Sequence, residues 1–138
     1  MNITVIDGQG GQLGARLVKE ILTQLPDAAL TAVGTNAAAT AAMLKAGAQN
    51  AATGENPVVV ACRKADVIIG PVGIVIADSL LGEVTEKMAL AVGRADAVRI
   101  LIPMNKCSNL VAGVPNLSTG VLIADAVAKL VALSGRNA

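Results

Sequence analysis

Short β-branched runs alternate with segments of helical period along this chain. The alternation predicts an α/β fold, an open parallel sheet with helices on both faces. Three observations carry that expectation. The runs at residues 3–7, 66–70 and 98–102 are mostly apolar rather than alternating, the pattern of strands buried on both sides. Glycine or proline stands at or just after the end of each, at Gly8, Gly70 and Pro103. Between the first strand and the next, Leu13, Leu17, Ile21 and Leu25 recur at helical spacing. A length of 138 residues fits one domain, 1–138.

The elements follow in order. Residues 3–7 form a buried strand that stops at a glycine loop, 8–14. The helix after it is widened by Val18 and Leu22 and ended by Pro26. Residues 30–33 read as the second strand, stopped at Gly34. Asn36 is placed to cap a helix over 37–45, with Gly47 as its stop. Residues 48–53 carry a weak strand signal. Residues 55–65 are ambiguous, because Pro57-Val58-Val59-Val60 favours strand while the position before another strand favours a short helix. After the strand at 66–70, residues 74–81 read as irregular or a helical turn, and Thr85 caps a helix to about residue 93. Strands are expected at 98–102 and again at 110–114, closed by Pro115. Ser118 caps a last helix to residue 133, stopped by Gly135.

Strand, glycine loop, helix is the most informative local feature. Gly8, Gly11 and Gly14 stand at three-residue spacing. Gly10 lies between the first two, and Leu13 breaks the G-x-G-x-x-G form. Such glycines serve a tight turn, the close approach of a pyrophosphate, and helix–strand packing. The helix start offers free N–H groups and partial positive charge. Asp7 beside the loop opposes a phosphate unless it is turned away, shares a metal with it, or accepts from a ligand hydroxyl. The second strand ends in Thr35-Asn36 rather than the acid of an NAD domain, which leans toward NADP. Gly70, Pro71 and Gly73 border the far half of the crevice. Asn105, Lys106 and Cys107 follow a strand end, with Lys106 suited to an anionic substrate. Asp7 and Lys106 are the candidate acid/base groups if the chain is an enzyme, which the sequence leaves open.

Composition excludes several chemistries. The chain has no His and no Phe, Tyr or Trp, so His-ligated metal sites and His-assisted nucleophiles are impossible. No aromatic platform exists for bases, and a net charge of +1 gives no electrostatic footprint for nucleic acid. A charged share of 15% and a hydrophobic share of 54% describe a folded chain with an aliphatic core. No apolar stretch is long enough to span a membrane. The first residues lack the pattern of a signal peptide, and two cysteines make no disulfide framework. A cytoplasmic setting is expected.

Ile6-Asp7-Gly8-Gln9-Gly10-Gly11, Gly34-Thr35-Asn36-Ala37 and Met43-Leu44-Lys45-Ala46-Gly47-Ala48 occur in that order. Ala52-Thr53-Gly54-Glu55-Asn56, Gly70-Pro71-x-Gly73 and Leu81-Gly82-Glu83 follow, and then Ile100-Leu101-Ile102-Pro103. Together these resemble a family of short bacterial Rossmann-like proteins catalogued only as a domain of unknown function. The resemblance implies a small cytoplasmic protein of that fold and supplies no catalytic residue.

The functional expectation is a Rossmann-like nucleotide-binding protein, an NADP-linked sensor or accessory subunit. Its alternatives are a structural or interaction protein without ligand, and a small enzyme acting on a phosphorylated substrate. Gly11→Val is expected to abolish binding in a folded protein, and Asp7→Asn to alter affinity rather than folding. The last helix carries only Asp125 and Lys129 as charges between residues 121 and 133. Its apolar surface predicts a homodimer, with Val127 and Val131 at the interface.

Overall fold

The computed structural model describes residues 1–104 and 108–136. Five strands, β1 (Asn2–Asp7), β2 (Ala29–Gly34), β3 (Asn50–Thr53), β4 (Val67–Pro71) and β5 (Val98–Ile102), form one sheet in the order β3-β2-β1-β4-β5. Every pairing is parallel. Five helices connect and flank them: α1 (Gln12–Gln24), α2 (Ala37–Lys45), α3 (Glu55–Lys64), α4 (Glu86–Arg94) and α5 (Thr119–Arg136).

Strand geometry sorts the core into two layers. Side chains alternate across a strand, so Ile3 and Val5 face one side of the sheet and Ile6 the other. Ile3 and Val5 pack with Leu17 and Ile21 of α1, Met43 of α2, and Val127 and Leu130 of α5. Ile6 packs with Val58 and Cys62 of α3 and with Met88 and Val92 of α4.

The ambiguous segment at 55–65 is helix α3. Pro57 falls in its first turn, where the missing N–H costs no intrahelical bond, and Val58 and Cys62 then share the buried face. The caps expected at Asn36, Thr85 and Ser118 are present. Asn36 accepts from the Ala39 N–H at 2.9 Å, Thr85 from Met88 at 3.1 Å and Ser118 from Val121 at 3.3 Å. Thr85 also donates to the Glu55 carboxylate at 2.6 Å, which ties the starts of α3 and α4 together.

The strand expected at 110–114 does not form. These residues are turn and extended coil, with Gly113 at a φ of 78°. β5 is already an edge strand, and nothing in the described chain pairs beyond it. Leu110 is 94% exposed, so its apolar run marks an outer surface rather than a core.

The last helix also departs from expectation. Val127 is fully buried in the chain's own core and Val131 packs against that core, so neither offers an interface. What α5 leaves outside is Val121, Ala124, Ala128 and Ala132, beside the paired Asp125 and Lys129.

Candidate functional site at the carboxyl mouth of the sheet

β1 and β4 are neighbours, yet the chain leaves β1 toward one edge and β4 toward the other. Their carboxyl ends therefore flank a switch point, the place where open α/β sheets bind ligands. Asp7, Gly8, Gly10, Gly11 and Gly14 gather there with Gly70, Pro71 and Gly73. Thr35 and Asn36 join them from the end of β2.

The glycine loop turns through Gln9 at φ 50° and Gly11 at φ 72°, and the Gly11 N–H donates to the Gly8 carbonyl at 2.9 Å. Internal packing explains most of its glycines. A methyl at Gly8 would lie 2.5 Å from the Thr35 hydroxyl, and one at Gly11 only 2.6 Å from Ala39 Cα. At Gly14 it would meet the Met43 sulfur at 2.6 Å and Asp7 Cβ at 2.8 Å. Gly10 alone of the four looks onto open space. Gly11→Val is therefore expected to cost stability as well as binding, because that side chain collides with the backbone of α2.

Gly70 and Gly73, expected to border the far half of the crevice, pack closely against the chain itself. A Cβ on Gly70 would stand 2.2 Å from the Ile6 carbonyl, and one on Gly73 2.9 Å from the Ser79 hydroxyl, which bonds the Gly73 carbonyl.

Asp7 is 5% exposed, and its carboxylate accepts the Gly14 N–H at 2.7 Å. Gly14 supplies one of the orphan amides of the first turn of α1, so Asp7 does the work of a helix cap. Burial pushes its pKa up. Backbone N–H groups of Gly14 and Gly8 pull it back, and the charge of Glu83 raises it further. The carboxylate is turned onto the helix, which favours a structural role over the ligand-facing one expected from sequence.

Glu83 lies in the segment between β4 and α4 and reaches across the mouth. One carboxylate oxygen accepts from the Gln9 N–H at 2.9 Å, the Thr35 hydroxyl at 2.7 Å and the Asn36 amide at 2.6 Å. Thr35 and Asn36, the residues behind the NADP expectation, are thus spent on Glu83. Among the described residues no donor reaches its other oxygen. The supporting segment is strained, with Asp78, Leu80 and Leu81 at positive φ and Leu81 95% exposed. The Gly10, Gln12 and Leu13 N–H groups take no partner among the described residues, whereas those of Gln9, Gly11 and Gly14 are occupied.

The profile of one protein family matches residues 2–134, nearly the whole chain. The chain belongs to the family described as Domain of unknown function (DUF3842). Comparison with curated proteins finds no match. Among solved structures this DUF3842 chain is similar to a dodecameric FMN-dependent Ubix-like decarboxylase from Escherichia coli O157:H7. Identity is 15%, coverage is 98% of this chain and 94% of that one, and the TM-score is 0.44. Similarity at that level transfers neither a cofactor nor an assembly.

Asn105, Lys106 and Cys107 lie outside the described residues. Among the described residues no helix is long and apolar enough to cross a membrane.

Glu83 and Asp7 respond oppositely to pH in the DUF3842 fold. Partial burial works to raise the Glu83 pKa, but the Gln9, Thr35 and Asn36 hydrogen bonds outweigh it and hold the carboxyl below its usual range. A depressed carboxyl stabilises the fold above its unfolded pKa, and the gain is lost as pH falls through the folded pKa. Asp7, raised, favours the fold when protonated and loses that contribution as pH rises through its folded pKa. Glu83→Gln is expected to cost stability at neutral pH, by about 1 kcal/mol for weakened charge-assisted bonds. Urea melts of both proteins, repeated toward acid, should show the difference shrink below the Glu83 pKa. A difference independent of pH would place the effect outside its ionisation.

Proposed function

We propose that this chain binds a nucleotide at the carboxyl mouth, with no catalytic residue assigned. One observation supports the reading above others. A carboxylate bonded to the glycine loop at Gln9 and to Thr35 and Asn36 after β2 shares the mouth with three backbone N–H groups that take no partner among the described residues. Gly10, Gln12 and Leu13 would receive a phosphate at the positive end of α1. The free oxygen of Glu83 would accept from ribose hydroxyls, the part an acid at this strand end plays in dinucleotide sites. That charge opposes a 2′-phosphate, so the preference moves from NADP to NAD or an adenosine monophosphate.

Calorimetric titration with NAD, NADP and AMP tests this. NAD or AMP should bind about tenfold more tightly than NADP, for one repulsive charge worth about 1.4 kcal/mol. At a hundredfold excess over Kd the bound ligand should stabilise the fold by about 2.7 kcal/mol. No heat and no melting shift with any of the three would overturn the proposal, and so would NADP binding most tightly.

Self-association is a separate part of the proposal, resting on a different surface from the expected one. Leu110, Val111, Val114, Leu117 and Val121 are exposed in one continuous segment leading into α5. A twofold contact would cover them. Light scattering behind size exclusion should give a dimer that Leu110→Lys with Leu117→Lys returns to monomer. A wild-type particle of 13.7 kDa would overturn it.

A further inference from the structure

The sheet carries an unassigned cavity on its α3 face, lined by no residue of the glycine loop. α3 turns Val58 and Cys62 toward Ile6 and Ile68, and beside it a groove of about 500 Å3 opens over β2 and β3. That volume suits a small molecule. Register builds its floor. Thr4 pairs with Thr31 and Thr31 with Asn50, so two hydroxyls and an amide form one row across three strands. Neighbouring strands lie about 4.8 Å apart, which makes the row about 10 Å long. The next row on the same face is Ile6, Val33 and Ala52, wholly apolar. α3 supplies Val60 and Ala61 as a wall and Lys64 at the end nearest Asn2, whose amide bonds the Lys64 carbonyl at 3.1 Å.

The floor holds unmet hydrogen-bonding capacity. Thr4 is 3% exposed, and among the described residues its hydroxyl has no hydrogen-bond partner. No fully enclosed side-chain polar atom in the described residues lacks a partner, so the Thr4 oxygen is open to the groove that it lines. The hydroxyl is thus free to bond a molecule seated in the groove. Lys64 makes no ion pair among the described residues and is the one charged group lining the groove.

We propose that this groove binds a short aliphatic organic monoanion of the N-acyl amino acid type. Its carboxylate meets Lys64, its amide meets the row of Thr4, Thr31 and Asn50, and its aliphatic group rests on Val33, Ala52 and Val60. The order of these contacts along the strands matches the order of carboxylate, amide and acyl chain in an N-acylglycine. A single lysine suits one negative charge rather than a phosphate dianion.

Amide-resolved NMR titration tests the proposal, with N-acetylglycine, N-butanoylglycine and N-hexanoylglycine and their neutral amides as probes. The acids should shift the Thr4, Thr31, Asn50 and α3 signals with a Kd of about 1 mM, as a dozen non-hydrogen atoms allow. The neutral amides should bind about fivefold more weakly, and Lys64→Ala should remove that preference. Thr4→Val should weaken binding while leaving the melting temperature unchanged or higher, since the hydroxyl has no bond to lose. A Thr4 with a purely structural role would lower it. No shift with any acid at tens of millimolar, shifts confined to residues 8–14, or equal binding of acids and amides would each overturn the proposal.

Discussion

Gly70→Ala is expected to lower the stability of the fold by about 3 kcal/mol, although it adds one methyl group. That methyl would stand 2.2 Å from the carbonyl oxygen of Ile6 on the neighbouring strand. The obstacle is backbone, so no side-chain rotation relieves it, and β4 must move away from β1. Those strands pair over Ile3–Val67, Thr4–Ile68 and Val5–Ile69 at the centre of the sheet, with core on both sides. A chain of this length holds about 7–20 kcal/mol in all. For a domain this size each kcal/mol lost is worth about 2–4 °C in Tm, so the expected drop is about 10 °C. Thermal and urea melts check it, and a drop under 2 °C, on the order of 0.5 kcal/mol, would mean that the approach of Ile6 is not needed for packing.

Gly11→Val carries an effect of similar size with two causes. The residue sits at φ 72°, where a β-branched side chain is strained by about 1–2 kcal/mol. Its Cβ would also lie 2.6 Å from Ala39 Cα and 2.8 Å from the Ala39 carbonyl oxygen. Overpacking against backbone adds about 1–3 kcal/mol. The variant therefore reports on stability before it reports on any ligand. Gly10→Val separates the two. Nothing lies within 4 Å of a Cβ there and the φ is ordinary, so stability should stay within about 0.5 kcal/mol of the wild type. Phosphate access should nevertheless be lost. If Gly10→Val bound nucleotide as well as the wild type, the loop would not be the phosphate site.

The sheet was legible because its signals are local. The buried runs, their glycine or proline stops and the caps at Asn36, Thr85 and Ser118 each act within a few residues. α3 was obscured by three consecutive valines, whose strand preference gives way to the burial of Val58 and Cys62. The segment 110–114 failed the other way. Apolar content suggested a strand, but no neighbour was left to pair with it. Spacing locates the glycines but does not tell packing from ligand approach, since Ala39, Met43 and Ile6, which fill the space beside Gly11, Gly14 and Gly70, are not local to them. Glu83 carries no local signal beyond its place in the family-like Leu81-Gly82-Glu83. Its partners Gln9, Thr35 and Asn36 stand 74, 48 and 47 residues away, and no local periodicity joins them. An acid absent from the end of β2 was the one available hint that it comes from elsewhere.

Those separations also set an order of assembly. Glu83 can grip Gln9, Thr35 and Asn36 only after β1, β2 and β4 have come into register, because it bridges the two halves of the sheet. Closing such long loops is entropically slow to be rewarded. The grip is then expected to form after the main barrier to folding, with a φ-value near zero for Glu83→Gln. Its loss quickens unfolding and leaves the folding rate nearly untouched. On that expectation the mouth of this sheet closes last and opens first, after and before the central strands.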